Sequence, residues 1–260
     1  MHSILFVRTN QQNLESKINV SKQDGIIATW LISCLVDYFD AIALCASYGI
    51  GLVRRKTDKS LFHAFSGKAS PMDIVADTCL KFLKAIPAGD QLFKTELRIA
   101  SVENREVLLR NILAPLKSSF DYIIIDTPAS MGMLVVNAIV AADTVLLPLQ
   151  CEFMAYKTLH TYLNTVIFIK DQFNPTLTLE GILLTMYNMG EDLSQNILDN
   201  ANKHFKRKIF NTVIPRNIQL REFVSHGKPL VVYDRKCIGA NSYMKLAQEL
   251  LAKEEDKSNS

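Results

Sequence analysis

The chain has 260 residues, 48% hydrophobic and 21% charged, with a formal net charge of +3. That length and composition suit one soluble α/β domain with a large core, and so mild a charge does not by itself argue for nucleic acid. Five scattered cysteines (Cys34, Cys45, Cys79, Cys151, Cys237) form no disulfide framework and read as reduced thiols in a cytoplasm; Met1-His2-Ser3 lacks the basic start of a signal peptide.

Ile4-Leu5-Phe6-Val7 predicts a short central strand, and Gln11 to Asn19 is polar. Ile26 to Val36 is apolar and ends as a second strand, Cys34-Leu35-Val36-Asp37. The surrounding segment, Gly25 to Val53, is followed by Arg54-Arg55-Lys56 and so mimics a membrane span. Its uninterrupted apolar run is too short to cross, and Asp37 and Asp40 would each cost roughly 2.5–3.5 kcal/mol inside a bilayer. Phe82 to Ile86 predicts a strand stopped by Pro87, and Val102 to Leu116 has helical apolar spacing.

Tyr122-Ile123-Ile124-Ile125-Asp126-Thr127-Pro128 carries the most information. A β-branched run ends in an acid and then a turn, as when a buried parallel strand delivers a carboxylate to the C-terminal edge of a sheet. In nucleotide-hydrolysing α/β folds, phosphate and magnesium sit at that edge. Helices are then expected at 134–142, 155–173, 193–205 and 242–252, with strands at 144–149, 179–186 and 209–214. The alternation predicts an α/β fold with a doubly wound, mostly parallel sheet flanked by helices. We expect one domain over residues 1–252, diverged between 12 and 48, and a frayed polar tail over 253–260.

From about Gly49 onward the chain resembles ParA/Soj-type partitioning ATPases, within the ParA/MinD group of P-loop proteins. The resemblance rests on Lys59-Ser60-Leu61-Phe62, Phe120 to Ser130, Ala141-Ala142-Asp143 and Pro148-Leu149-Gln150-Cys151-Glu152. It rests also on Glu180 to Tyr187, Val213-Ile214-Pro215-Arg216-Asn217 and Ser225-His226-Gly227-Lys228-Pro229. It implies a deviant Walker-A P-loop fold that binds ATP and magnesium, dimerises around nucleotide, binds DNA non-specifically and answers to a ParB-like protein. By the same resemblance Asp126 holds magnesium through water, and Pro215, Arg216 and Asn217 form the adenine edge.

The chain departs from that family around its phosphate loop, K-G-G-x-G-K-T-T. Lys17 falls on the loop lysine and Ser16 on the position before it. Gln12 stands for the first lysine; Asn13, Leu14 and Ser16 stand for glycines; Ile18 and Asn19 stand for threonines. Glycines let backbone N–H groups close round phosphate, and a threonine hydroxyl binds magnesium. A non-glycine residue adopts positive φ at a cost of roughly 1–2 kcal/mol. The nucleotide site is therefore expected to be impaired. Asp40, three residues after Asp37, is the candidate catalytic acid if a one-residue insertion is allowed; the alternative is that both acids cap a strand end. Gly190 and Gln219 occupy positions where relatives carry arginines for DNA, so DNA binding is expected to be weakened. Arg221, Lys206, Arg207 and Lys208 are the remaining phosphate-contact candidates, although such runs also occur as solvated turns.

Two readings stand. One is a cytoplasmic ParA/Soj-like segregation factor, nucleoid-associated where DNA binding survives. The other is a non-hydrolysing remnant, acting as a binding module that pairs with itself or with an intact paralogue.

Overall fold

The computed structural model describes residues 4–8, 59–78, 83–89, 91–128, 130–217 and 233–258. The predicted strand ending at Asp37 and the apolar run before it lie outside the described residues. Among those described, no helix is long and apolar enough to cross a membrane.

Four strands form the main sheet in the spatial order β4 (Tyr122–Asp126), β1 (Ile4–Arg8), β5 (Thr144–Gln150) and β6 (Thr178–Thr185). β5 and β6 pair in parallel. β1 is antiparallel to both its neighbours, so β4, β5 and β6 share one direction and β1 opposes them. Every residue of β5 is buried, as expected of a strand covered on both faces, and its Val-Leu-Leu run supplies apolar contact on each.

Helices cross over between the co-directional strands. α4 (Met133–Ala141) joins β4 to β5, and α5 (Phe153–Phe173) joins β5 to β6. Leu109, Leu113, Val135, Ile139, Leu147, Leu159, Ile182 and Leu184 belong to one continuous core. Six of the nine α4 residues are buried, which suits a helix apolar on all sides. A helix so enclosed cannot send its last carbonyls to water, and they take protein donors instead. Asn174 Nδ2 donates to the carbonyls of Ile139, Val140 and Ala142 at 3.1, 3.3 and 2.7 Å. Arg110 donates to Val140 O from Nε and Nη2 at 3.0 and 2.6 Å.

The expected helix over 102–116 is broken into pieces. Asn104 takes a left-handed conformation at φ 54°, a 3-10 turn spans Arg105–Val107, α3 runs Leu108–Leu113, and Pro115 forces a second 3-10 turn at Ala114–Leu116. Buried Asn137 replaces the lost helical bonding, accepting from Leu109 N at 3.0 Å and donating to Arg105 O at 2.8 Å. The strand expected at 82–86 is reduced to β3 (Lys84–Ala85), which pairs with β2 (Ala76–Asp77) apart from the main sheet. Helices α1 (Leu61–Phe65) and α2 (Phe93–Ile99) lie on either side of this ribbon in sequence.

After α6 (Asp192–Phe205), residues 209–216 run beside β6 but form no continuous strand, contrary to expectation. Glu249 accepts from the amides of Asn211 and Thr212 at 2.8 and 2.9 Å and so interrupts the ladder between Phe210 N, which donates to Ile182 O at 3.0 Å, and Ile214 N, which donates to Leu184 O at 2.9 Å. A bulge at Glu180 brings Gly181 against buried Phe210. A Cβ on Gly181 would lie 2.6 Å from that ring, so only glycine admits it. The last helix, α7 (Ile238–Ser258), continues through residues expected to fray. Its end is held by side chains: Lys253 pairs with Glu249 and lies 3.6 Å from the Phe210 ring centroid, and Tyr122 donates to Glu254.

Asn174→Ala should lower stability by about 2–3 kcal/mol, because it leaves buried carbonyls with fewer donors. Urea unfolding with an unchanged slope would establish this.

Candidate functional site

The carboxyl ends of β4, β5 and β6 form one edge of the sheet, the edge where open α/β sheets bind ligands. Asp126 is the last residue of β4 there. The residue keeps some solvent contact, but its carboxyl group is enclosed by protein, and those surroundings set its proton affinity. Burial pushes its pKa up to about 7, opposed by a hydrogen bond from the Thr127 amide. Thr127 itself is 2% exposed, so the acid stands on a firmly seated turn.

Pro215, Arg216 and Asn217 reach the same edge beyond β6. Tyr187 bridges to Pro215, and Arg216 N donates to Tyr187 O at 2.9 Å. Counting strand spacings across β1, β5 and β6, this segment lies roughly 19 Å from Asp126. Between them stand Gln150, at the end of β5, and Met186, held at φ 51° just past β6. Arg216 extends outward and pairs with Glu152 at 3.2 Å, with both side chains exposed. Glu152 was not among the residues singled out from the sequence. The available signal was an acid two residues past a buried strand, within the Pro148-Leu149-Gln150-Cys151-Glu152 stretch.

Cys151, beside Glu152, is buried, and its thiol is pushed up to about 12 by burial and then by Glu191. Its surroundings thus disfavour the thiolate, the reactive form of a cysteine.

The basic candidates lie elsewhere. Lys206, Arg207 and Lys208 form an exposed 3-10 turn before Ile209. Lys208 Nζ donates to Leu179 O at 3.0 Å, near the start of β6. The length of β6, roughly 20 Å, thus separates this turn from the Asp126 edge. Beside it opens a cavity of about 700 Å³ whose lining includes Lys206, Arg207, Phe210, Glu249 and Lys253. Ser16, Lys17, Asp40 and Arg221 lie outside the described residues.

β1 adds a constraint. Its register sets Ile4 opposite Asp126 and Arg8 opposite Tyr122. The carboxyl end of β1 therefore points to the edge away from the acid. Arg8, at that carboxyl end, lies roughly 13 Å along the sheet from the level of Asp126, by four residues of strand rise.

Asp126 fits magnesium. A carboxylate whose ionised form is disfavoured by burial gains that form when a cation approaches. Among the described residues no three His, Cys, Asp or Glu side chains gather into a cage. Magnesium commonly takes one or two protein carboxylates, with water and phosphate completing its shell.

The strand–helix alternation and this edge define an α/β protein of the open-sheet, ligand-binding class. A family model described as "AAA domain" matches residues 34–179. The chain is 37% identical over 213 residues to the chromosome partitioning protein ParA of Myxococcus xanthus, covering 82% of this chain and 75% of that one. It is 38% identical over 207 residues to the sporulation initiation inhibitor protein Soj of Bacillus subtilis, covering 80% and 82%. Cobyrinic acid a,c-diamide synthase from Mycobacterium smegmatis, solved with an ATP analogue and magnesium, superposes with a TM-score of 0.70 at 26% identity over 89% of each chain. Apo McdA from Cyanothece shares the fold at a TM-score of 0.73 over 94% of this chain and 97% of its own, at 18% identity. The chain belongs to the ParA/Soj family of chromosome-partitioning ATPases.

The Asp126 environment has a signed pH consequence. The native state holds this proton up to about pH 7, while an unfolded aspartate releases it near pH 3.9. Across that window the native state binds more protons, so stability falls as pH rises, by up to about 4 kcal/mol. Asp126→Asn should therefore exceed the parent in stability at about pH 8 and converge with it towards about pH 4. Melting temperatures across that range, without magnesium, would check it.

Proposed function

We propose that this chain is a ParA-type partitioning factor, an ATP-dependent DNA-segregation protein by descent, with an impaired nucleotide site. The observation that carries the reading is the shared edge of Asp126 and the Pro215-Arg216-Asn217 segment. Asp126 would hold magnesium through water, and the 215–217 segment would line the base. Bound magnesium would neutralise phosphate charge during transfer.

Impairment is supported on two counts. The sequence from Gln12 to Asn19 lacks the glycines that admit phosphate and the threonine that binds the metal. β1 also ends at the edge away from Asp126. The same direction of β1 favours a second reading: a non-hydrolysing ParA-fold module that pairs with itself or with an intact paralogue.

In the first reading, Lys17 is the surviving phosphate contact, with Ser16 beside it and Asp40 as the water-positioning acid. A ParB-like protein is the partner and the cytoplasm the compartment. DNA contact is weak and salt-dependent, through Arg221 and the Lys206-Arg207-Lys208 turn.

Calorimetry on the full chain with ATP, with and without magnesium, should show little binding. A repaired loop (Gln12→Lys, Asn13→Gly, Leu14→Gly, Ser16→Gly, Ile18→Thr, Asn19→Thr) should restore magnesium-dependent binding. Asp126→Asn in that background should abolish the magnesium dependence. Parent turnover equal to an intact relative's, and lost in Lys17→Ala, would sink the impairment. A repaired chain that folds and stays silent would favour the module.

A further inference from the structure

We propose that Glu96 is the positioning residue for Asp126, clamping from α2 the connection that carries the acid into α4. This rests on the reading that Asp126 is the working acid of the site. Gly132, the residue before α4, has no side chain to cap the helix. Glu96 supplies the cap from another element: its Oε1 accepts from Leu134 N at 3.1 Å. A carboxylate at a helix N-terminus is favoured both by the unpaired amides and by the helix dipole.

The fit depends on the glycine. A Cβ on Gly132 would lie 3.0 Å from Glu96 Cδ and closer still to its oxygen, so alanine there displaces the carboxylate. The φ of Gly132 is −92°, so alanine adds no backbone strain, and its effect would be the lost clamp alone. Glu96 is itself held in place because its neighbours on α2, Thr95 and Ile99, are buried at 1% and 2% exposure. Upstream, the Thr127 amide touches the Asp126 carboxylate, and Gly132 follows five residues later. The connection is thus pinned at both ends: by β4 pairing at Asp126 and by Glu96 at the first turn of α4.

The clamp links residues 38 apart in sequence and joins α2 to the acid's own loop. With the clamp lost, α4 remains anchored at its far end by Asn174 and Arg110, so the change should stay local.

Hydrogen exchange on the full chain, read residue by residue, tests this. In Glu96→Ala the Leu134 amide should exchange about tenfold faster, the loss expected for one hydrogen bond to a charged acceptor. The Thr127 amide resonance should shift with it, while amides of β5 and β6 keep their rates. Gly132→Ala should reproduce both effects. Glu96→Gln, which keeps an acceptor, should restore exchange at Leu134 towards the parent rate. Unchanged Leu134 exchange, a uniform rise across the core, or a Thr127 resonance that does not move would each overturn the clamp. A second arm adds magnesium and ADP to the loop-repaired chain. Loss of the clamp signature there overturns Glu96; absence of any nucleotide effect with the signature intact overturns the nucleotide reading instead.

Discussion

The enclosure of α4 is the constraint on which the rest of the structure depends. Apart from Asn137 the helix is apolar, so it packs between sheet and neighbouring helices and its C-terminal half is buried. Backbone groups in that position must find protein partners, because each one left unpaired costs about 1–3 kcal/mol. The partners come from distant parts of the chain, Glu96 at the start and Arg110 and Asn174 at the end, while Asn137 of the helix itself reaches out to Arg105 and Leu109. Each draws another segment into register. Asn174 fixes the turn between α5 and β6, Arg110 fixes α3, and Asn137 fixes the broken run before it. Asp126 then has a defined position because both the strand before it and the helix after it are held.

The second organising feature is the opposed direction of β1. Ligands of open α/β sheets gather at the carboxyl ends of the strands, where loops and helix N-termini meet. β4, β5 and β6 turn their carboxyl ends to one edge, and β1 turns its amino end there. The edge keeps an acid at one side and the 215–217 segment at the other, with the start of β1 between them.

Charge is also divided by the sheet. At the Asp126 edge, Arg216 is answered by Glu152, and burial holds the Asp126 carboxyl towards its neutral form. At the other edge, Lys206, Arg207 and Lys208 stand exposed beside Lys253 and Glu249. The strand length between these faces exceeds the screening length of about 8 Å at physiological salt, so the charges of one are little felt at the other. Any coupling between nucleotide and DNA would have to pass through packed elements rather than through the field.

The order of strands and helices from Tyr122 to Phe205 was legible in the sequence because apolar period and turn residues record burial locally. Asp126 was legible for the same reason: an acid directly after a β-branched run is a local pattern. The family was legible from short stretches whose order and spacing recur. What the sequence could not disclose were relations between distant segments. An apolar run such as Ile4 to Val7 reads the same in either direction, so only pairing decides that β1 is antiparallel. Residues 209–214 have strand composition, yet Glu249, from a helix far along the chain, takes two of their amides. The end of α7 is polar and reads as a tail, yet Phe210 and Tyr122 offer it contacts that no local window contains. Sequence records the preferences of each segment; which donor meets which acceptor is settled only when burial forces every buried polar group to find a partner.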